Sequence, residues 1–267
     1  MGIDRRRFLK ITGLSAMLGL GGKAAFDLLA PGELEAALEN VPPLTQAKKW
    51  GMVVDMNKMT DEILAACKDA CHQSHNVPDW GDARLEVKWN WSDTFEHTFP
   101  NQGYDYLDEH FAEKEYFVLC NHCTNPPCCR VCPTKATWKR EDGIVMMDPH
   151  RCIGCRFCMA ACPFGARSFN WGDPRKAPGE LNPEFPGNPE YPTRTKGVVE
   201  KCNFCAERIS KGMMPLCVEA ANTIEEGSLV FGDLDDYGSN VRQLLRSHYA
   251  IRRKPELGTD PNIYYIV

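Results

Sequence analysis

The cysteines between positions 120 and 162 restrict this chain more than any other feature. They read Cys120-Asn-His-Cys123-Thr-Asn-Pro-Pro-Cys128-Cys129-Arg-Val-Cys132-Pro133 and, after a short connection, Cys152-Ile-Gly-Cys155-Arg-Phe-Cys158-Met-Ala-Ala-Cys162-Pro163. The second run has the C-x2-C-x2-C-x3-C-P spacing with which thiolates bind iron, the fourth Cys serving the other cluster of a pair. Two 4Fe–4S clusters are the starting expectation.

The chain has 267 residues and 43% hydrophobic content, enough for a real core. Fourteen Cys is too sparse for a small disulfide scaffold, and most fall in tight C-x2-C groups. Formal charge is -5, but residues 1–30 hold Arg5, Arg6, Arg7, Lys10 and Lys23 against Asp4 and Asp27. The remaining body is strongly acidic and carries no basic stripe, so it repels a phosphate backbone and nucleic acid is excluded as a partner.

Residues 1–30 read as an export address. A basic stretch, Asp4-Arg5-Arg6-Arg7-Phe8-Leu9-Lys10, precedes the small and apolar run from Ile11 to Gly22, which is shorter than the ~20 residues needed to span a hydrocarbon core. The Arg-Arg-x-Phe-Leu-Lys arrangement resembles the twin-arginine signal, implying export of a folded, cofactor-loaded protein to the periplasmic (extracytoplasmic) face of the cytoplasmic membrane. The bland alternative is a basic amphipathic helix. No clean A-x-A site lies between Lys23 and Asn40, so retention of the signal as an anchor is a further expectation.

Residues 31–50 form a tether, an Ala/Leu/Glu helix candidate broken by Pro42-Pro43. A ferredoxin-like iron–sulfur domain is expected over 51–267. Met52 to Asp55 reads as a strand and Asp61 to Ser74 as a helix closing in Asn76-Val77-Pro78. Strand-then-Cys units recur at Ile144 to Asp148 and at Val198 to Cys202, so the expected fold is α+β and internally duplicated. Its central two-cluster module covers about 118–168, and its outer module combines about 51–80 with 197–235. Two inserts interrupt the repeats. Glu86 to Phe117 is rich in aromatic residues (Trp89, Trp91, Phe95, Phe99, Tyr104, Tyr106, Phe111) and reads as packing surface, with docking as the alternative. Trp171 to Thr195, rich in Pro and Gly, reads as a surface loop.

A further motif, Cys202-Asn-Phe-Cys205 with Cys217 eleven residues on, completes the pattern. Here the chain resembles the four-cluster ferredoxin-like subunits of membrane-bound oxidoreductases, including those of dimethyl sulfoxide and polysulfide reductases. Two of its motifs depart from that family. Ala221 stands at the last Cys of the fourth motif, and family spacing places Leu64 and Asp61 at the first two Cys of the motif ending in Cys67 and Cys71. Each family motif gives three Cys to one cluster and the fourth to its partner. The resemblance therefore implies three 4Fe–4S clusters: Cys120, Cys123, Cys128 with Cys162; Cys152, Cys155, Cys158 with Cys132; and Cys202, Cys205, Cys217 with Cys71. The fourth cluster is lost, and Cys67 and Cys129 are left as non-ligands, each a small buried hydrophobe. A one-residue shift would exchange Cys129 with Cys128.

Other chemistries compete for these residues. Structural zinc completed by His72, His75 or His122 would make the chain an interaction module, but zinc has no need of four Cys ending in Pro, twice. No Cys-x-x-Cys-His for haem occurs. Disulfides are disfavoured because a passenger exported folded arrives with its thiolates bound. No catalytic constellation is present, and Asp233, Asp235 and Asp236 read as a solvated turn. An iron–sulfur chain without a substrate site is a conductor of electrons.

Within the wider family, several stretches resemble the DsrO type of subunit from the DsrMKJOP membrane complexes of sulfate reducers. They are Cys71-His72-Gln73-Ser74-His75-Asn76-Val77-Pro78, Asn125-Pro126-Pro127, Cys202-Asn-Phe-Cys205-Ala-Glu-Arg208, and Glu256-Leu257-Gly258-Thr259 to Tyr264-Tyr265. That resemblance implies a quinone-interacting membrane subunit and a multihaem cytochrome c as partners. The alternatives are a subunit of a molybdenum or polysulfide reductase, or of an alternative quinol-oxidising complex.

Overall fold

The computed structural model describes residues 47–176 and 187–267. The signal expected at 1–30, nearly all of the tether at 31–50 and the middle of the Pro/Gly insert lie outside the described residues.

The strand expected at Met52 to Asp55 is β1, Trp50–Asp55. It begins one residue inside the expected tether, and the Asp233 carboxylate accepts from the Lys48 and Lys49 amides at 2.9 and 3.0 Å, so the folded domain starts ahead of residue 51. β1 lies between β8 (Leu229–Asp233), antiparallel, and β10 (Ile263–Ile266), parallel; β9 (Ala250–Ile251) closes the sheet against β10. Alternation with period two sorts its side chains. Met52, Val54, Leu229, Phe231, Ile263 and Tyr265 face the main core, which also holds Cys71, Cys120, Cys123, Cys202 and Cys217. Val53, Val230, Tyr264 and Ile266 face the other way. That second face is covered by the helix Asn240–Ser247 through Val241, Leu244 and Leu245, one helical stripe.

The helix expected at Asp61 to Ser74 is α1, with those bounds. Thr60 caps it by accepting the Ile63 amide, and Asp61 and Glu62 complement the positive end of its dipole. Its buried residues Ile63, Cys67 and Cys71 recur every four positions, so the apolar stripe and the two thiols share one face. That face packs on the helix Leu216–Ile224, which carries Cys217.

The aromatic insert contributes to the core at its two ends, through Val87, Trp89, Phe95, Phe99, Tyr116 and Phe117, while the stretch from Pro100 to Glu113 is mostly exposed. β2 (Asn90–Asp93) pairs with β3 (Tyr116–Leu119) across two one-turn helices, α2 (Phe95–Thr98) and α3 (Glu109–Ala112). Phe99 stands edge-on to Tyr116 and Tyr265, with centroids at 5.4 and 5.1 Å, and is buried like Trp89 and Phe95. Each such burial contributes roughly 1.5–3 kcal/mol. Only Tyr104 and Tyr106 of the seven stay exposed.

Between β3 and Cys202 the chain is mostly loop, stitched by short elements: α4 (Pro127–Arg130), the hairpin β4 (Thr137–Lys139) with β5 (Val145–Met147), and α5 (Phe157–Ala160). β6 (Ser168–Phe169) then pairs with β7 (Val199–Glu200), which leads into Cys202. α6 (Ala206–Ile209) and α7 (Leu216–Ile224) follow, and Asn240–Ser247 is α8. The architecture is mixed α+β. Among the described residues no helix is long and apolar enough to cross a membrane.

Candidate metal centre

The C-x2-C loops Cys120 to Cys123, Cys152 to Cys155 and Cys202 to Cys205 share one backbone device. The residue before the second Cys has a positive φ: His122 at 41°, Gly154 at 70° and Phe204 at 57°. Two of these carry side chains, a conformation uncommon outside glycine and held only where the surroundings impose it. In the loop of Cys202 and Cys205, one amide from the turn and one from the start of the helix Leu216–Ile224 point at sulfur. The Phe204 amide lies 3.4 Å from Cys202 Sγ and the Leu216 amide 3.4 Å from Cys205 Sγ. A second repeat follows the Cys-Pro pairs, since Lys135 and Gly165, each three residues beyond its Cys, have φ of 52° and 64°. At Gly154 the requirement is double: a Cβ there would also collide with the Gly197 carbonyl.

These loops gather the thiols into groups. Cys71, at the end of α1, feels the charges of Cys205, Cys202, Cys217 and Cys67; burial first, then those neighbours, raise its pKa well above the ordinary value. Cys217 is raised by burial and then by Cys205, Cys67 and Cys202. Cys123 is pushed up to about 12, by burial and then by Cys120, with Cys162 and Cys128 adding to the effect. Cys132, Cys152, Cys155 and Cys158 line one small cavity with Ile153 and Arg156. The groups are close to one another as well, since Cys158 feels Cys128 and Cys202 feels Cys120.

Cys67 is fully buried one helical turn before Cys71. Its thiol donates to the Cys217 carbonyl at 3.3 Å, and burial pushes its pKa up to about 12. Cys129 is half-buried beside Cys128. The neighbouring thiol, followed by burial, raises the Cys129 thiol, while Cys129, aided by Arg167 and Lys201, pulls Cys128 down against its burial.

Two buried cations were not legible as site residues. Arg167 is 5% exposed and Lys201 2% exposed, and neither pairs with a carboxylate among the described residues. Arg167 donates to Thr137 Oγ1 at 2.7 Å, and Lys201 donates to the carbonyls of Val145 and Cys202. Burial alone would lower the Arg167 pKa, yet Cys128, Cys158 and Cys120 hold it above its ordinary value. A buried charge without a counter-charge costs several kcal/mol; the neighbouring Cys128, Cys158 and Cys120 are the groups that can supply it once ionised. Sequence offers one faint signal: Lys201 precedes Cys202, and Arg167 lies five residues past Cys162.

His122 bridges two groups. Its ring stacks on Phe204 with centroids 3.7 Å apart and planes 15° from parallel. Nδ1 accepts from the Val145 amide at 3.1 Å, so the proton sits on Nε2. Burial, then Lys201 and Arg167, lower its pKa well below the usual value, so the ring is neutral. Nε2 is buried without a hydrogen-bond partner, as are both side-chain polar atoms of Asn121. Buried donors next to crowded thiols suit a sulfide-bearing group, whose sulfurs accept hydrogen bonds. His75 is engaged elsewhere, with Nδ1 2.8 Å from the Cys71 carbonyl and Nε2 2.9 Å from Glu207 Oε1. His75, Cys205 and Glu207 form the one mixed His/Cys/carboxylate group among the described residues.

A family model for a 4Fe–4S dicluster domain matches residues 114–177, from just before β3 to just past β6. The Hdr-like menaquinol oxidoreductase iron–sulfur subunit 1 of Archaeoglobus fulgidus is 37% identical over 98% of this chain and 97% of its own length. The chain belongs to this family of iron–sulfur subunits. Other relatives of the iron–sulfur subunit family confirm its breadth. The menaquinone reductase iron–sulfur cluster-binding subunit of Nitratidesulfovibrio vulgaris is 35% identical over 82% of this chain and 88% of its own length. The B subunit of polysulfide reductase from Wolinella succinogenes is 34% identical over 82% of this chain and 95% of its own length. The wider family read from the Cys motifs is therefore shown; membership in the DsrO type is a finer matter.

Proposed function

We propose that this iron–sulfur subunit is a non-catalytic one-electron relay holding three 4Fe–4S clusters, on Cys120, Cys123, Cys128 and Cys162, on Cys152, Cys155, Cys158 and Cys132, and on Cys202, Cys205, Cys217 and Cys71. The observation that supports the count is the packing of α1, which carries Cys71, on α7, which carries Cys217, with Cys202 in the same buried core. The repeated positive-φ positions support a duplicated ferredoxin-like plan with one cluster lost. Such clusters supply one-electron chemistry with little rearrangement. The chain's own part is to bury the thiols, to aim the Phe204 and Leu216 amides at sulfur, and to balance negative charge with Arg167 and Lys201.

The subunit works at the extracytoplasmic face of the membrane after twin-arginine export, in a respiratory complex of sulfur or sulfate metabolism. There it relays electrons between a quinone-interacting membrane subunit and a multihaem cytochrome c, in the manner of the DsrO type. The full-length likeness to a menaquinol oxidoreductase subunit supports the quinol side of this reading. A second reading, the relay of a polysulfide or molybdenum reductase, draws on the likeness to the polysulfide reductase B subunit.

Iron and sulfide analysis of the purified chain tests the cofactor reading. About 12 of each, with absorption near 400 nm that bleaches on reduction, are expected. About 8 of each would remove the cluster assigned to Cys71, and zinc in place of iron would overturn the relay. Subunits co-purified from the native membrane separate the two complexes.

A further inference from the structure

The face that carries Cys155 differs from the rest of the molecule. Cys155 is the only exposed cysteine. Around it Ile153, Phe157 and Trp171 are exposed by 67, 60 and 45%. These residues are contiguous. Ile153, Cys155 and Arg156 line the cavity that also holds Cys132, Cys152 and Cys158. The Arg156 guanidinium lies 4.7 Å from the Trp171 ring and 5.4 Å from the Phe169 ring, and those rings are in T-shaped contact at 4.7 Å. The Gly154 turn rests on Phe169 and the Gly197 carbonyl, which brings the segment after Lys196 to the same edge.

The charge of this face opposes that of the chain. The whole sequence is -5, yet from Pro149 to Gly172 there is no Asp or Glu. Arg151 and Arg156 are exposed there, with Lys135 beside the cavity residue Thr134 and Lys196 beside Gly197. Among the described residues two acids lie near the rim: Asp148 pairs with Arg151 at 3.3 Å, and Asp173 follows Trp171 by two positions. Large apolar side chains exposed together mark an interaction site, and aromatic anchors inside a charged rim are how protein interfaces are built.

We propose that this face docks an acidic one-electron carrier protein, its carboxylates meeting Lys135, Arg151, Arg156 and Lys196 around a contact centred on Ile153, Phe157 and Trp171. The proposal rests on the reading that Cys132, Cys152, Cys155 and Cys158 hold a cluster, because an exposed ligand thiol at the centre is what makes the face an electron port. One electron crosses per encounter: the donor is oxidised by one, the acceptor is reduced by one, and no bond or proton moves. An anionic bilayer would satisfy the same rim and rings, but it offers the exposed thiol no redox partner.

The test uses the full chain, loaded and reduced, with outer-sphere oxidants of opposite charge. Hexacyanoferrate(III) is expected to oxidise it faster than hexaammineruthenium(III) after correction for driving force, despite the net negative charge, and to slow as salt rises. Redox-inert hexacyanocobaltate(III) should compete. The Arg151→Glu/Lys196→Glu variant, with unchanged iron content, should lose roughly tenfold in the hexacyanoferrate rate. A faster cationic oxidant, or no effect of the variant, overturns the port. Binding to phosphatidylglycerol vesicles by sedimentation, lost in the same variant, would overturn the carrier in favour of a membrane surface. A preparation without iron or the band near 400 nm would instead refute the cluster reading itself, so the two failures are distinguishable.

Discussion

Arg194 Nη2 lies 2.5 Å from Glu200 Oε2, with both side chains buried. Trp89 Nε1 also donates to Glu200 Oε2 at 3.0 Å, while the Arg194 guanidinium reaches the carbonyls of His75 and Asn76. The pair therefore ties the strand entering Cys202 to the turn leaving Cys71. Two segments remote in sequence are locked at the place where their thiols meet.

Glu200→Ala leaves Arg194 buried and uncompensated, which costs about 3–5 kcal/mol. A fall in Tm of roughly 10 °C is expected, together with loss of iron from the Cys71 group ahead of the others. Thermal scans followed at the visible band and in the far-UV check both parts.

Arg167→Met removes a positive charge beside Cys128, Cys158 and Cys120. Potentials of the groups on those cysteines should become more negative by about 100 mV, taking an effective dielectric near 20 and the one-electron conversion. Arg167→Lys should recover most of the shift. Redox titration followed by electron paramagnetic resonance measures it, and unchanged potentials would deny Arg167 any electrostatic part.

Cys71→Ala and Cys67→Ala separate two thiols one helical turn apart. The first should lose about four of about 12 iron atoms. The second should keep all of them and cost only about 1–2 kcal/mol, for a small cavity and one weak hydrogen bond. Equal iron loss in both variants would place Cys67 among the ligands.

Cys128→Ala and Cys129→Ala address adjacent thiols that perturb one another's ionisation. Iron content should fall by about four atoms in the first and hold in the second. The opposite result would shift the motif by one residue.

Much of the local structure was legible. The bounds of α1 follow from Thr60, the acidic first turn and the four-residue recurrence of Ile63, Cys67 and Cys71, all short-range signals. β1 was legible as an apolar run, but not its place between β8 and β10, because strand order depends on which distant segments pair. The aromatic insert was ambiguous for the same reason. Phe99 and Tyr265 are far apart in sequence, and only their edge-on contact shows that this part of the insert is core.

The sequence by itself determined the ligand type and its spacing, since chelation by C-x2-C is a constraint on three or four consecutive residues. Tertiary structure decided what surrounds the thiols. Arg167 and Lys201 read as ordinary surface cations until burial and the lack of a carboxylate turn them into counter-charges for ionised sulfur. His122 reads as a spacer inside Cys120-Asn-His-Cys123 until its stack on Phe204 leaves a buried N–H without an acceptor. The exposure of Cys155 alone among fourteen cysteines is likewise a property of the folded surface. Burial and electrostatic balance are set by neighbours brought from elsewhere in the sequence, and no local pattern encodes them.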